Sequence, residues 1–188
     1  MSKNEKHMEL WEHLEELRWT IFKVLGVLLI TTIVAFFFID DILAIMMLPI
    51  ETLSAENPDF VIKKTLTSPF DGVIIKMKTA FLGGIVLGYP FVLYFFWSFI
   101  SSGLKKQEGR AFVWICGIGT ISFLFGVVCG YFLITPVLTI LLKIGMQSAE
   151  NYWKVKELIN FLFYWLLGAG LIFELPLAMV ILTRLGVI

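Results

Sequence analysis

Cysteine is nearly missing from this chain. Its 188 residues include only Cys116 and Cys129, with no CxxC pair and no Cys/His cluster. The two lie thirteen residues apart in one uncharged run. A helix there would separate them by roughly 20 Å, too far to bridge. Both read as small packing residues. Histidine is as scarce. His7 and His13 stand six apart in a polar segment, without ligand spacing, and read as solvated. No metal and no cofactor is expected. Charge is thin as well: Asp, Glu, Lys and Arg make up 16% of the chain, against about 25% in a soluble domain. Fifteen basic residues balance fifteen acidic ones, which excludes a basic nucleic-acid binder. No GxSxG, HExxH or P-loop is present. Ser98, Ser101, Ser102 and Ser122 have no histidine in any apolar run to activate them. The chain is therefore not expected to be an enzyme.

What is abundant is apolar. Hydrophobic residues reach 59% and mean hydropathy is +0.88. A soluble globule of this size has too much surface to hide that content, and a disordered chain would have too little of it. A polytopic membrane protein remains, and at about 20 residues per crossing the length allows roughly four or five spans. The gaps between charges locate them. Residues 24–39, 79–104, 111–142 and 158–173 carry no charge. They predict an all-α transmembrane bundle, a single domain over 1–188. Its spans are placed at about 20–40, 75–101, 111–135 and 158–182. Each must be helical, because an open strand in lipid leaves its backbone groups unpaired.

The N-terminus mixes Lys3, Lys6, Glu5, Glu9, Glu12, Glu15 and Glu16 and does not read as a cleavable signal peptide. Leu10, Trp11, Leu14 and Leu17 recur at helical spacing opposite the glutamates, which predicts an interfacial helix over 8–19. The apolar stretch 42–50 is too short to cross. It is expected along the membrane surface or as a cap on the bundle. An even number of spans puts both ends on one side. That side carries eight basic residues and the other seven, so charge counting decides little. The short positive turn 101–110 leans toward a cytoplasmic N-terminus.

Pro90 and Pro176 fall inside spans and favour kinks, Pro136 ends the third span, and Pro49 follows the first. Glycines at 83, 84 and 88, the pair Gly126/Gly130, and Gly168/Gly170 permit close helix contact. A kinked, concave bundle is the expectation. Glu174 lies among Leu171, Ile172, Phe173 and Leu175. A carboxylate at a helix centre costs about 2.5–3.5 kcal/mol on insertion scales. It therefore reads as functional, unless it reaches water beside Pro176. Glu15, Glu16 and Arg18 precede the first span, and Glu108 and Arg110 sit in the turn on the same side. Carboxylates there could take guanidinium partners. From the residues alone, an ordinary solvated face with a Glu15–Arg18 pair is the better reading.

The ordered motifs then resemble one family. His13-Leu14-Glu15-Glu16-Leu17-Arg18, Leu48-Pro49 and Thr67-Ser68-Pro69-Phe70 come first. Tyr89-Pro90, Phe96-Trp97-Ser98-Phe99-Ile100, Gly103-Leu104 and Glu108 follow. Phe125-Gly126, Tyr131-Phe132, Pro136 and Phe173-Glu174-Leu175-Pro176 complete the series. Together they resemble TatC, the multispanning core subunit of the twin-arginine protein translocase, over residues 10–188. The resemblance implies a bacterial cytoplasmic (inner) membrane location with the N-terminus inside, a thylakoid membrane being the lesser alternative. It implies binding of twin-arginine signal peptides of folded precursors at Glu16 and Glu108, with Arg18, Phe99 and Glu15 beside them. It also implies single-span TatA/TatB-type partners, self-association in a larger complex, and use of the proton gradient. Glu174 matches the family's intramembrane glutamate, which would meet a polar group of a single-span partner. Two positions depart from the family pattern: Thr20, where a basic residue is common, and Ser102, where proline is usual. The family usually has six spans, so a chain of four is expected to bind signal peptides yet fail to export. The alternatives are a small ion-coupled transporter or channel using Glu174, and a translocation-incompetent scaffold.

Overall fold

The computed structural model describes residues 3–56, 61–63, 68–102, 109–145 and 152–184. The elements run α1 (Lys3–Phe37), α2 (Ile39–Glu56), β1 (Val61–Lys63), α3 (Asp71–Ser102), α4 (Gly109–Phe132), α5 (Ile134–Gly145), β2 (Tyr152–Lys154) and α6 (Val155–Arg184). Four helices are long and apolar enough to cross a membrane, over His13–Phe37, Asp71–Ile100, Val113–Phe132 and Val155–Val180. The fold is a helical bundle. Its only strands among the described residues are two three-residue segments paired in parallel, Val61 opposite Tyr152 and Lys63 opposite Lys154.

Local chemistry sets the boundaries. α3 opens on half of a capping box: the Ser68 N–H donates to Asp71 Oδ2 at 2.9 Å, while the Asp71 N–H closes a backbone turn on the Ser68 carbonyl at 3.0 Å. Pro69 sits where no backbone donor is needed. α4 stops at Phe132, the carbonyl that the absent N–H of Pro136 would have bonded. Pro136 instead lies in the first turn of α5, so it opens a short helix as well as closing a span. Pro90 and Pro176 lie inside α3 and α6, and both helices run on through them. α1 is one helix of 35 residues. The expected interfacial segment 8–19 is its first turns, with no proline to separate it from the span. Pro49 is inside α2, whose Met46, Met47 and Ile50 are buried. The stretch 42–50 is thus part of the core.

That core joins α2, α5 and α6 with the start of α3. Ile50, Leu53, Ile134, Leu138, Leu158 and Leu162 are each no more than 1% exposed. Small residues bring the long helices together. A Cβ on Gly84 would lie 2.7 Å from the Thr32 backbone of α1. One on Gly126 would lie 2.8 Å from the Ala169 carbonyl of α6. Beside these contacts the Trp165 indole N–H donates to the Gly130 carbonyl at 2.9 Å, and Ser122 Oγ to the Phe173 carbonyl at 2.6 Å. In lipid such bonds matter because water is not there to replace them.

Candidate functional site

Near the N-terminal end of α1 the bundle opens. α1, the C-terminal half of α3 and the C-terminal half of α6 surround a groove of about 490 Å³. Leu17 and Ile21 of α1, Leu93 and Phe96 of α3, and Leu171 of α6 make it apolar. α1 packs mainly on α3, which leaves the space between α1 and α6 open.

Thr20, Tyr89, Trp97 and Glu174 bring polar groups to this lining. Glu174 reaches the groove from α6, and Trp97 from α3. Glu174 Oε1 and Trp97 Nε1 are buried and have no hydrogen-bond partner among the described residues. An unmet buried polar atom costs about 1–3 kcal/mol, so such atoms are kept for a reason more often than not. Tyr89 of α3 lines the same groove as Glu174. Tyr89 in turn stacks on Phe123 of α4, with ring centroids 3.6 Å apart and planes 7° from parallel.

At the rim the sequence-predicted residues come into view. Phe99 lines the groove and stacks on His13, centroids 4.4 Å apart. His13 had read as merely solvated. It is exposed, but it also ties the start of α1 to the end of α3. Glu15 and Arg18 form an exposed pair at 3.5 Å, and Arg18 lies over the Trp19 ring at 5.7 Å. Glu16 is exposed on the same stretch of helix. Glu108 lies outside the described residues. The structure therefore brings Glu15, Glu16, Arg18 and Phe99 to one end of the groove and puts Glu174 within it. Pro49 and Pro136 are remote from it, on α2 and α5. Sequence reasoning marked Tyr89 through the Tyr89-Pro90 motif but did not place it beside Glu174 in the groove.

A second cavity of about 720 Å³ lies between α1, α2, α3 and α4, lined by Val34, Ile42, Met46, Leu82 and Val127. It holds none of the predicted site residues. Among the described residues no group of His, Cys, Asp and Glu could hold a metal ion.

The family profile described as Sec-independent protein translocase protein (TatC) matches residues 12–188. A Sec-independent protein translocase protein TatC of Carboxydothermus hydrogenoformans is 30% identical over 185 residues, covering 98% of this chain and 73% of the relative. The TatC protein of Aquifex aeolicus is 30% identical over 184 residues, 96% of this chain and 75% of the relative. A crystal structure of the twin-arginine translocase receptor TatC in DDM superposes with a TM-score of 0.82 at 30% identity. The superposition covers 94% of this chain and 77% of that one.

Proposed function

Since this chain belongs to the TatC family of Sec-independent protein translocase proteins, we propose that it is the subunit that receives twin-arginine signal peptides. It is a multi-pass membrane protein and a translocase component. In our reading its N-terminus faces the cytoplasm of a bacterial inner membrane. The paired arginines of a precursor meet Glu16 and Glu108 at the surface, beside Glu15, Arg18 and Phe99. The apolar segment that follows lies along the groove.

The observation that carries this reading is the continuity of the site. A rim with carboxylates at Glu15 and Glu16 runs through Leu17 and Phe99 into a mainly apolar channel. A signal peptide has the same order, cationic first and then apolar. A carboxylate takes a guanidinium through two parallel hydrogen bonds, and an ammonium cannot match that geometry. Deeper in the membrane, Glu174 is the group we assign to a single-span TatA/TatB-type partner. Copies of the chain assemble with such partners into a larger complex.

The test is peptide binding to the purified protein in lipid nanodiscs. A twin-arginine peptide should bind at least tenfold more tightly than its twin-lysine version. Glu16→Ala and Glu108→Ala should each remove that preference while membrane insertion stays normal. Equal affinity for the two peptides would sink the assignment. So would a preference that survives both substitutions.

A further inference from the structure

Lys76, Lys78 and Lys156 stand in the opening turns of α3 and α6, at the membrane face opposite the groove rim. Two of them meet carboxylates: Lys76 lies 3.6 Å from Asp40, and Lys156 lies 2.8 Å from Asp71. Lys78 meets none among the described residues. Its ammonium donates to Asn160 Oδ1 and lies over the rings of Phe163 and Tyr164, 5.9 and 5.6 Å from their centroids. We propose that Lys78 and Asn160 hold the phosphate of an anionic phospholipid in this leaflet, with its acyl chains on the aromatic surface beneath.

Depth is the first argument. The span Asp71–Ile100 has 30 residues, roughly 45 Å of helix against a hydrocarbon core of about 30 Å. Shared between the two ends, the excess is roughly 7 Å each. Lys78 follows Asp71 by seven residues, roughly 10 Å along the axis, so its Cα stands just inside the hydrocarbon boundary. Side chains on a helix lean toward its N-terminus, and α3 and α6 both begin at this face. A lysine stem here reaches the level of the phosphates. An ammonium without a counter-charge is costly at that depth.

The donor set is the second argument. Asn160 takes one proton of the ammonium and brings no charge. Because Oδ1 faces Lys78, the Nδ2 group of Asn160 is left to donate. The pair offers donors only: two ammonium N–H and two amide N–H groups. That set suits a charged group that only accepts, such as the free oxygens of a phosphodiester. Net charge then selects the lipid, since a zwitterionic headgroup brings a cation of its own. The apolar side is ready as well. Phe81 stacks on Phe163, centroids 6.2 Å apart and planes 18° from parallel, and Phe81 and Tyr164 are 42% and 65% exposed. Aromatic rings at this level hold the ammonium and leave an exposed surface for acyl chains.

The experiment is thermal melting of the purified chain in detergent with added lipid, read beside native mass spectrometry of retained lipid. Phosphatidylglycerol should raise the melting temperature and be retained at least fivefold more than phosphatidylcholine with the same acyl chains. Lys78→Gln should lose both effects. Asn160→Asp gives Lys78 a carboxylate within the protein and turns two donors into an acceptor. It should also lose both effects, and it keeps the test decisive where Lys78→Gln does not fold. Lys76→Gln removes a neighbouring charge at the same face and should keep them. Equal retention of the two lipids by the parent overturns the proposal. So does a phosphatidylglycerol preference that survives in Asn160→Asp, or one lost equally in Lys76→Gln. Glycerol 3-phosphate at the same concentration should leave the melting temperature unmoved. If it reproduces the shift, the site takes a free phosphate and the lipid assignment fails.

Discussion

The two ends of this bundle are built to opposite rules. At the end formed by α2, α5 and the start of α3 and α6, side chains interlock and charged groups meet partners, while Thr32 Oγ1 of α1 and Thr79 Oγ1 of α3, away from the groove, are buried and unmet. Asp71 is 4% exposed and receives Lys156 at 2.8 Å. Lys78 donates to Asn160 Oδ1, and β1 and β2 tie two loops together. At the other end an open groove keeps Glu174 Oε1 and Trp97 Nε1 buried and unmet. The contrast suggests a division of labour. The packed end holds the long helices in register, so the groove end can remain open without collapsing. Stability should then respond to substitutions at the first end and ligand recognition to substitutions at the second.

The largest effect on stability is expected from Lys156→Ala. It removes the cation opposite the Asp71 carboxylate, the more buried member of the pair, and leaves that charge only the Ser68 N–H and its other local contacts. Taking the partner from the buried side of an ion pair is the more destabilising cut. Asp71→Asn should cost less, because Lys156 is 35% exposed and can turn to water. Thermal melts of the two variants in one detergent check the order. If the reverse order emerges, Asp71 is not the buried anchor of this end.

The bundle itself was legible in the sequence because charge is so costly in lipid. The uncharged gaps alone separate the four long helices. Glu174 stood out for the same reason, as a carboxylate with apolar neighbours on both sides. The pair Gly126/Gly130 was legible as a place of close contact, and it meets Ala169. What pattern could not supply was pairing over distance. Lys156 and Asp71 are 85 residues apart, and either alone looks like an ordinary loop charge. Residues 42–50 of α2 were read as a surface segment or cap because a run of nine apolar residues is too short to span, and the start of α5 as the end of the third span at Pro136. The burial of both helices comes from one shared core with α6, which no local period encodes.

Between the two ends runs the α1–α3 contact, and Gly84→Ala tests whether it couples them. The new methyl would meet the Thr32 backbone at 2.7 Å, where no rotamer change gives relief. Overpacking of this kind costs typically about 1–3 kcal/mol. Gly26→Ala on α1 is the control, with nothing within 4 Å of its Cβ. It should be neutral or slightly stabilising, since alanine is the better helix former. Equal melting temperatures for the two variants would show that α1 does not depend on close approach at Gly84.

The smallest effect on stability is expected at the groove rim, and it is the sharpest test of the division. His13 stacks on Phe99, and its ring is otherwise exposed. Removing an exposed contact of this kind changes stability by under about 0.5 kcal/mol, so His13→Ala should melt with the parent. Phe99, however, loses the neighbour that holds its ring at the mouth of the groove. In our reading that ring lies where the cationic part of a signal peptide gives way to the apolar part. His13→Ala should therefore weaken twin-arginine peptide binding several-fold, and His13→Tyr, which can restore the stack, should recover most of it. Binding that falls in both variants alike would assign the effect to a histidine-specific contact and not to the ring. A large drop in melting temperature for His13→Ala would erase the distinction between the two ends, because the rim would then be part of what holds the bundle together.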